Sequence, residues 1–512
     1  MLQTDLIASV PELLRRQADA RGEQVAYSDA RSSIKYGELF QTTRNLAGHL
    51  QALKVSPDES VALFLPNSVE WIQTCFATLR AGAISVPISY DASEPEIAYR
   101  LEDADCRVVV TTDEKANTVR RAAGKRSVRL ILVDRGVDKA VGERFSDLIA
   151  NTSALEARDP SEIKKPSFII YTSGTTGRAK GVLLSQHSML WVTAACWAPI
   201  TGLSPEDHIL SPLPLFHSYA LNLSVLSVLA VGCKERLVEK FSTSEVSRLL
   251  KDGGFTFMPG VPTMFHYLVQ ASEDGMRFPG LRLCISAGAI MPATLNREFE
   301  RRFNVPLLDG YGITETSTMV TMNWPTGARV LGSCGLPVPG LAVRIVEPAT
   351  GRDVDPAQEG ELIVRGPNLM SGYHKKPQET AAALRNGWYH TGDLARSDDN
   401  GFLTITGRLK ELIIRGGQNI APAEIEEVAC LYNGVGDCAV IGVPHEHLGE
   451  VPVIFVALKR GYDLSPEGLL DHCREHLSGY KVPAAVHLVE EIPRTGSGKI
   501  MRFKLRAHLE QR

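Results

Sequence analysis

No surplus of positive charge marks this chain. Its 55 lysines and arginines face 59 aspartates and glutamates, for a net charge of −4. That excludes the electrostatic footprint of a nucleic-acid binder or of a protein held by anionic lipid. Cysteine is scattered: nine residues contain no CxxC pair. An odd, dispersed set reads as reduced, cytoplasmic and core-filling. Long apolar runs are missing too. The most apolar window, 209–232, is broken by Pro212, Pro214 and His217 and carries four serines, which argues against an integral membrane segment. The N-terminus has Asp5 early and Arg15-Arg16 late, the wrong polarity for a signal peptide. The last residues, Leu509-Glu510-Gln511-Arg512, lack the peroxisomal tripeptide. Also absent is the P-loop spacing GxxxxGK followed by Ser or Thr.

What is present is ordinary for a globular enzyme: 44% hydrophobic and 22% charged residues. The length of 512 residues suggests roughly two to four domain-sized units. Residues 1–22 read as a short amphipathic helix. Apolar strands alternate with helix-length segments from 27 to 135: Val61 to Leu65, Ala83 to Pro87, Arg107 to Thr112 and Arg129 to Val133 read as strands, and Ser68 to Ala81 as a helix. Such alternation predicts doubly wound, mostly parallel sheets. Residues 134–165 are polar and strand-poor and read as a surface connection. From Val330 the chain turns all-β in character and predicts a smaller, barrel-like subdomain. The last hundred residues hold two strand signals, Cys438 to Val443 and Val451 to Leu458, with helices between. That suffices for a small α+β domain.

Between two apolar stretches lies Tyr171-Thr172-Ser173-Gly174-Thr175-Thr176-Gly177-Arg178-Ala179-Lys180. Small residues let backbone N–H groups converge on an anion, and the hydroxyls and Lys180 add donors. On composition alone an ordinary turn suits the loop equally well. A second stretch, Asp309-Gly310-Tyr311-Gly312-Ile313-Thr314-Glu315, joins glycines that permit close approach, a stacking ring, a hydroxyl and a hard oxygen ligand of the kind Mg²⁺ prefers. Its GxG lacks the third glycine of a dinucleotide site. Gly288 and Ala289 follow a strand and leave a slot of ring thickness, or a close helix–sheet contact. Asp393, after a tight turn, suits a pair of ribose hydroxyls or a turn cap. Read alone, His217 is a core histidine and Lys499 a surface lysine.

Taken together these stretches resemble the adenylate-forming superfamily of acyl-CoA synthetases, coumarate-type ligases, beetle luciferases and peptide-synthetase adenylation domains. The motifs occur in the family order from about Glu23 to Arg502. The resemblance implies an AMP-forming acid–thiol ligase: a carboxylic acid is activated by ATP and Mg²⁺ as an acyl-adenylate and passed to CoA. It assigns catalysis to Lys499, His217, Thr314 and Glu315, with Glu315 also the metal ligand. It assigns nucleotide and CoA binding to Thr172, Ser173, Gly174, Thr175, Thr176, Lys180, Gly288, Ala289, Asp309, Gly310, Tyr311, Gly312, Asp393, Arg408, Gly416 and Gly417. The acid falls to His217, Ser218, Tyr219, Val261, Gly288 and Met319. It divides the chain into residues 1–407 and a mobile lid, 408–512, hinged near Lys410.

Where amino-acid-activating relatives place an Asp, this chain has His217-Ser218. A buried ammonium would lack a partner there, so an α-amino acid is disfavoured. The apolar lining suits a fatty, aryl or arylpropenoic acid. Arg282 offers a pairing site for a second carboxylate, as in malonate-type ligases. No carrier domain follows Arg512, so an acyl-carrier protein, if it replaces CoA, acts in trans. A luciferase-like oxidase and a catalytically silent acyl or nucleotide sensor are the remaining rivals. The expected compartment is the cytoplasm.

Overall fold

A computed structural model describes all residues except 1, 137–140, 173–178, 274, 417, 460, 495–498 and 511–512, and the side chain of 510. Ser173, Gly174, Thr175, Thr176 and Gly417, assigned above to nucleotide and CoA binding, therefore lie outside the described residues.

The chain is a mixed α/β protein with a large N-terminal domain and a smaller C-terminal one. Two large sheets dominate. One has eight strands, in the order Gly372–Tyr373, Lys180–Ser185, Pro166–Thr172, Ile84–Pro87, Ser60–Phe64, Val108–Thr112, Arg129–Val133 and Glu143–Arg144. The other has nine. It runs Leu336–Pro337, Thr321–Met322, Leu307–Tyr311, Leu283–Ser286, Phe257–Gly260, His208–Ser211, Lys234–Leu237, Val25–Ser28 and Ser33–Lys35. Their central strands pair in parallel, as alternating strand and helix signals dictate.

Strand alternation decides where the cores lie. Val61 and Leu63 point into the core shared by both sheets, which also receives Ile209 and Phe257. Ala62 and Phe64 point the other way, to a second core under the helices Glu94–Asp103 and Ala116–Ala123. Leu210, Met258 and Cys284 likewise face a third. The result is helix, sheet, helix, sheet, helix. Leu39, Leu46 and Leu50, spaced for one face of the helix Tyr36–Ala52, are all fully buried in the shared layer.

The barrel-like region is a five-stranded antiparallel sheet. Ala342–Val346, Gly360–Arg365, Trp388–Ser397 and Leu384–Arg385 run in that order, with Leu403–Arg408 also against Trp388–Ser397. The connection read as strand-poor holds a two-residue strand, Glu143–Arg144, and a helix, Phe145–Ala150. The C-terminal domain has a five-stranded sheet built on the hairpin Val435–His445 and Gly449–Leu458. A third strand, Ala485–Val489, runs parallel to Gly449–Leu458 and carried no clear sequence signal. No helix among the described residues is long and apolar enough to cross a membrane.

Candidate active site

Thr172 and Lys180 form the last pair of the antiparallel hairpin Pro166–Thr172 and Lys180–Ser185. The Lys180 ammonium lies 4.8 Å from the centre of the Tyr373 ring. The Tyr373 hydroxyl donates to Glu315 Oε1 at 3.0 Å. One tyrosine therefore ties the base of the loop to the acidic residue of the second motif. Tyr373 was not among the sequence candidates. Its strand is two residues long, too short to leave a pattern.

His217 caps a short helix, Ser218–Ala220, which continues as a π-helical stretch, Leu221–Ser227. Such widened turns are frequent at functional sites. The Ser218 and Thr314 hydroxyls lie 3.2 Å apart. The Tyr219 ring stacks on Trp197, with centroids 6.1 Å apart, and its hydroxyl donates to the Ile285 carbonyl at 3.3 Å. Val261, Gly288, Thr314 and Lys499 line the same narrow cavity of about 40 Å³ as His217, Ser218 and Tyr219. So a residue 13 from the C-terminus reaches a cavity built by the N-terminal domain. Met319, read from the sequence as lining, is instead fully buried in the shared core.

Asp393 is almost completely buried and takes the Arg408 guanidinium at 2.8 Å and the Tyr311 hydroxyl at 2.6 Å on its two oxygens. Burial, and then the Arg408 charge, pull the Lys499 ammonium below its ordinary range. Asp393, Glu315 and Glu411 act the other way. All five groups thus share one electrostatic neighbourhood. Asp309 is buried, its carboxyl pushed well above the usual range by burial, and its Oδ1 has no hydrogen-bond partner among the described residues. An adenine amino group is a donor that would satisfy it.

The glycines of the second motif have a structural account. A Cβ on Gly312 would lie 1.3 Å from the Thr318 carbonyl oxygen, and one on Gly310 would lie 2.4 Å from the Met319 methyl. The close approach is to the chain itself. Gly288 has a φ of +89°, which glycine adopts freely; Ala289 follows it in the same loop. Arg282 is committed elsewhere. It binds Asp207 through two bonds of 2.6 and 2.8 Å and also the Thr201 and Gly202 carbonyls. That removes it as a partner for a second substrate carboxylate, because its donors are already spent on a buried acid. Lys410 is exposed in the turn Leu409–Glu411, and Gly416 lies exposed on the C-terminal domain.

Burial, then the Lys499 charge, bring His217 down to about 4, so it is neutral at pH 7. An unfolded histidine takes its proton near pH 6.5, and the folded one waits until about 4. The unfolded state therefore binds more protons in that window. The stability that His217 contributes is complete above about 6.5 and is withdrawn as the pH falls to about 4, by about 3 kcal/mol in all. In urea titrations between those pH values, the wild type should lose more stability than His217→Gln. Equal losses would show that His217 titrates normally.

Lys499 of the smaller C-terminal domain thus lines one cavity with His217, Ser218 and Thr314 of the large α/β domain. Comparison with known proteins gives the family. Residues 14–374 match the model for AMP-binding enzyme and residues 424–499 that for AMP-binding enzyme C-terminal domain. The chain belongs to the AMP-binding enzyme family. It is 34% identical to a feruloyl-CoA synthase of an Amycolatopsis species, over 96% of this chain and 97% of that one. It is 35% identical, over 98% of its length, to naringenin synthase of Pestalotiopsis fici, of which it spans 19%. ATP-bound MatB from Rhodopseudomonas palustris superposes with a TM-score of 0.90 at 30% identity, over 98% of this chain and 99% of that one; apo MatB gives 0.78 over the same shares.

Proposed function

We propose that the chain is an AMP-forming acid–thiol ligase that converts a fatty or aryl acid into its CoA thioester through an acyl-adenylate. The observation that carries this reading is the meeting of Lys499 with His217 and Thr314 in one cavity, beside Asp393, Arg408 and Glu315. The greater likeness to ATP-bound than to apo MatB accords with a C-terminal domain held in the pose for adenylation.

In the first step a carboxylate oxygen attacks the α-phosphorus of ATP, and the α–β bridging P–O bond breaks to release pyrophosphate. Two anions must meet, so the site has to offset their repulsion. Lys499 stands between the acid cavity and the Asp393–Arg408 pair, where its charge meets both reactants. Asp393 takes the ribose hydroxyls and Asp309 the adenine edge, with Tyr311, Gly310, Gly312, Gly288 and Ala289 around the base. The loop from Thr172 to Lys180 holds the outer phosphates. Neutral His217, with Ser218, Tyr219 and Val261, packs the acid. Glu315 is the carboxylate that would hold Mg²⁺. When bound, the cation would neutralise phosphate charge as pyrophosphate departs.

In the second step residues 408–512 rotate as a lid about Lys410, which stays solvated in both poses. Gly416 then approaches the pantetheine arm. The thiolate sulfur attacks the acyl carbon, the C–O bond to AMP breaks, and AMP leaves. The compartment we assign is the cytoplasm. The test is product analysis with ATP, Mg²⁺, CoA and a panel of acids. AMP, pyrophosphate and a thioester in equal amounts are expected. ADP, or AMP formed without any acid, would overturn the reading.

A further inference from the structure

The cavity of about 40 Å³ is far smaller than the roughly 300–1,000 Å³ of a typical ligand pocket. An aryl acid must open the layer between the π-helical stretch and the nine-stranded sheet. That layer is not purely apolar. Ala220 lines the cavity, and Ser224 follows it by four residues in the widened helix, about one turn deeper. Ser224 donates to Ser211 Oγ at 2.8 Å, and Ser211 lies two residues before the cavity-lining Leu213. Beyond them is Glu235. It pairs in parallel register with Ile209 on one side and Tyr27 on the other, so it shares their face of the sheet. That face lies under the same helix, because the Tyr27 hydroxyl donates to the Val225 carbonyl at 2.7 Å.

Glu235 is fully buried, and among the described residues neither of its carboxyl oxygens has a partner within hydrogen-bond geometry. An unsatisfied buried polar group of this kind is costly to keep. Nothing in the reaction described above uses it. Burial holds its carboxyl well above the usual range, and the Ser224 and Ser211 hydroxyls offset that only in part. A carboxyl so held favours its neutral form, which can both donate and accept.

We propose that the far end of the acid layer is a polar subsite in which Glu235, with Ser211 and Ser224, receives a hydroxyl carried on the distal end of the acid. The acid class is then a hydroxylated aryl acid rather than a plain hydrocarbon chain. A phenolic hydroxyl supplies one donor and one acceptor, which a protonated carboxyl and a serine pair can answer. This rests on the ligase reading and sharpens it.

The test compares 3-phenylpropenoic acid with its 4-hydroxy analogue, by acid-dependent pyrophosphate release, in the wild type, Glu235→Leu and Ser224→Ala. A site that hydrogen-bonds a substrate hydroxyl discriminates strongly against the analogue lacking it. The wild type should favour the hydroxylated acid in kcat/KM by about tenfold or more, and each variant should lower that ratio by about tenfold. A ratio near one in the wild type, or a ratio unchanged in both folded variants, would overturn the subsite. Turnover of other acids but of neither of these would also overturn it, while leaving the ligase intact. Absence of acid-dependent pyrophosphate with every acid would instead remove the ligase reading, and the subsite with it.

Discussion

Lys499→Ala should slow acyl-adenylate formation by about 10²–10³-fold, the usual consequence of removing one preorganised donor from a developing anion. The effect is large because of where the residue sits. Its ammonium is largely withdrawn from water and lies among Arg408, Asp393 and Glu315, so no solvent cation substitutes for it. The same variant should convert a supplied acyl-adenylate and CoA to thioester within about threefold of the wild-type rate, since the lid has then turned Lys499 away. That split separates a catalytic lysine from one that merely supports the fold. Equal losses in both half-reactions would deny Lys499 its role.

The second large effect concerns how Lys499 is held. Arg494 and Arg502 flank it, and each is fixed. Arg494 binds both oxygens of Asp437, with Nη2 at 2.8 Å from Oδ1. Arg502 reaches Glu426 at 2.6 Å and Glu411 at 3.1 Å. Arg494 and Ile500 form a bridge, and the Met501 N–H donates to the Pro493 carbonyl at 2.8 Å. Arg494 and Arg502 are thus tied to the strand Val435–His445 and the helix Pro422–Cys430. Glu426→Gln keeps an acceptor for the Val440 N–H, which now donates to Glu426 at 2.7 Å, but leaves Arg502 under-compensated. Breaking a largely buried pair from one side costs about 3 kcal/mol. Because a displacement of about 1 Å can cost about 10²-fold in rate, adenylation should fall by that order. Thioester formation from supplied acyl-adenylate should change far less. Thermal unfolding would register the lost stability. A variant that unfolds earlier yet adenylates at the wild-type rate would show the clamp to be structural only.

Much of this was legible in the residues. The pattern of apolar residues read as the strand Val61 to Leu65 and the helix Ser68 to Ala81 matches Ser60–Phe64 and Val69–Arg80 to within a residue at each end, because a buried face must repeat at the period of its element. Motif order picked out His217, Thr314 and Lys499, which the fold brings to one cavity although 282 residues separate the first from the last. What was not legible depends on long-range geometry. Arg282 reads as a free cation until Asp207, 75 residues away, closes on it. Met319 reads as a pocket residue but turns into the core. Tyr373 sits on a strand too short for a pattern. The widening of Leu221–Ser227 into a π-helix leaves no periodic trace in seven residues. Glu235 looks like one charge in the run Lys234-Glu235-Arg236, and only the register of its strand shows that it alone points inward.

The most direct test of the central claim follows the oxygen atoms. A substrate acid labelled with ¹⁸O in its carboxylate is turned over with ATP and CoA, and the products are weighed by mass spectrometry. If a carboxylate oxygen attacks the α-phosphorus and the acyl carbon then passes to sulfur, one labelled oxygen ends on AMP and none on pyrophosphate. Label in pyrophosphate or inorganic phosphate, or unlabelled AMP beside a labelled thioester, would contradict an acyl-adenylate and with it this account of Lys499.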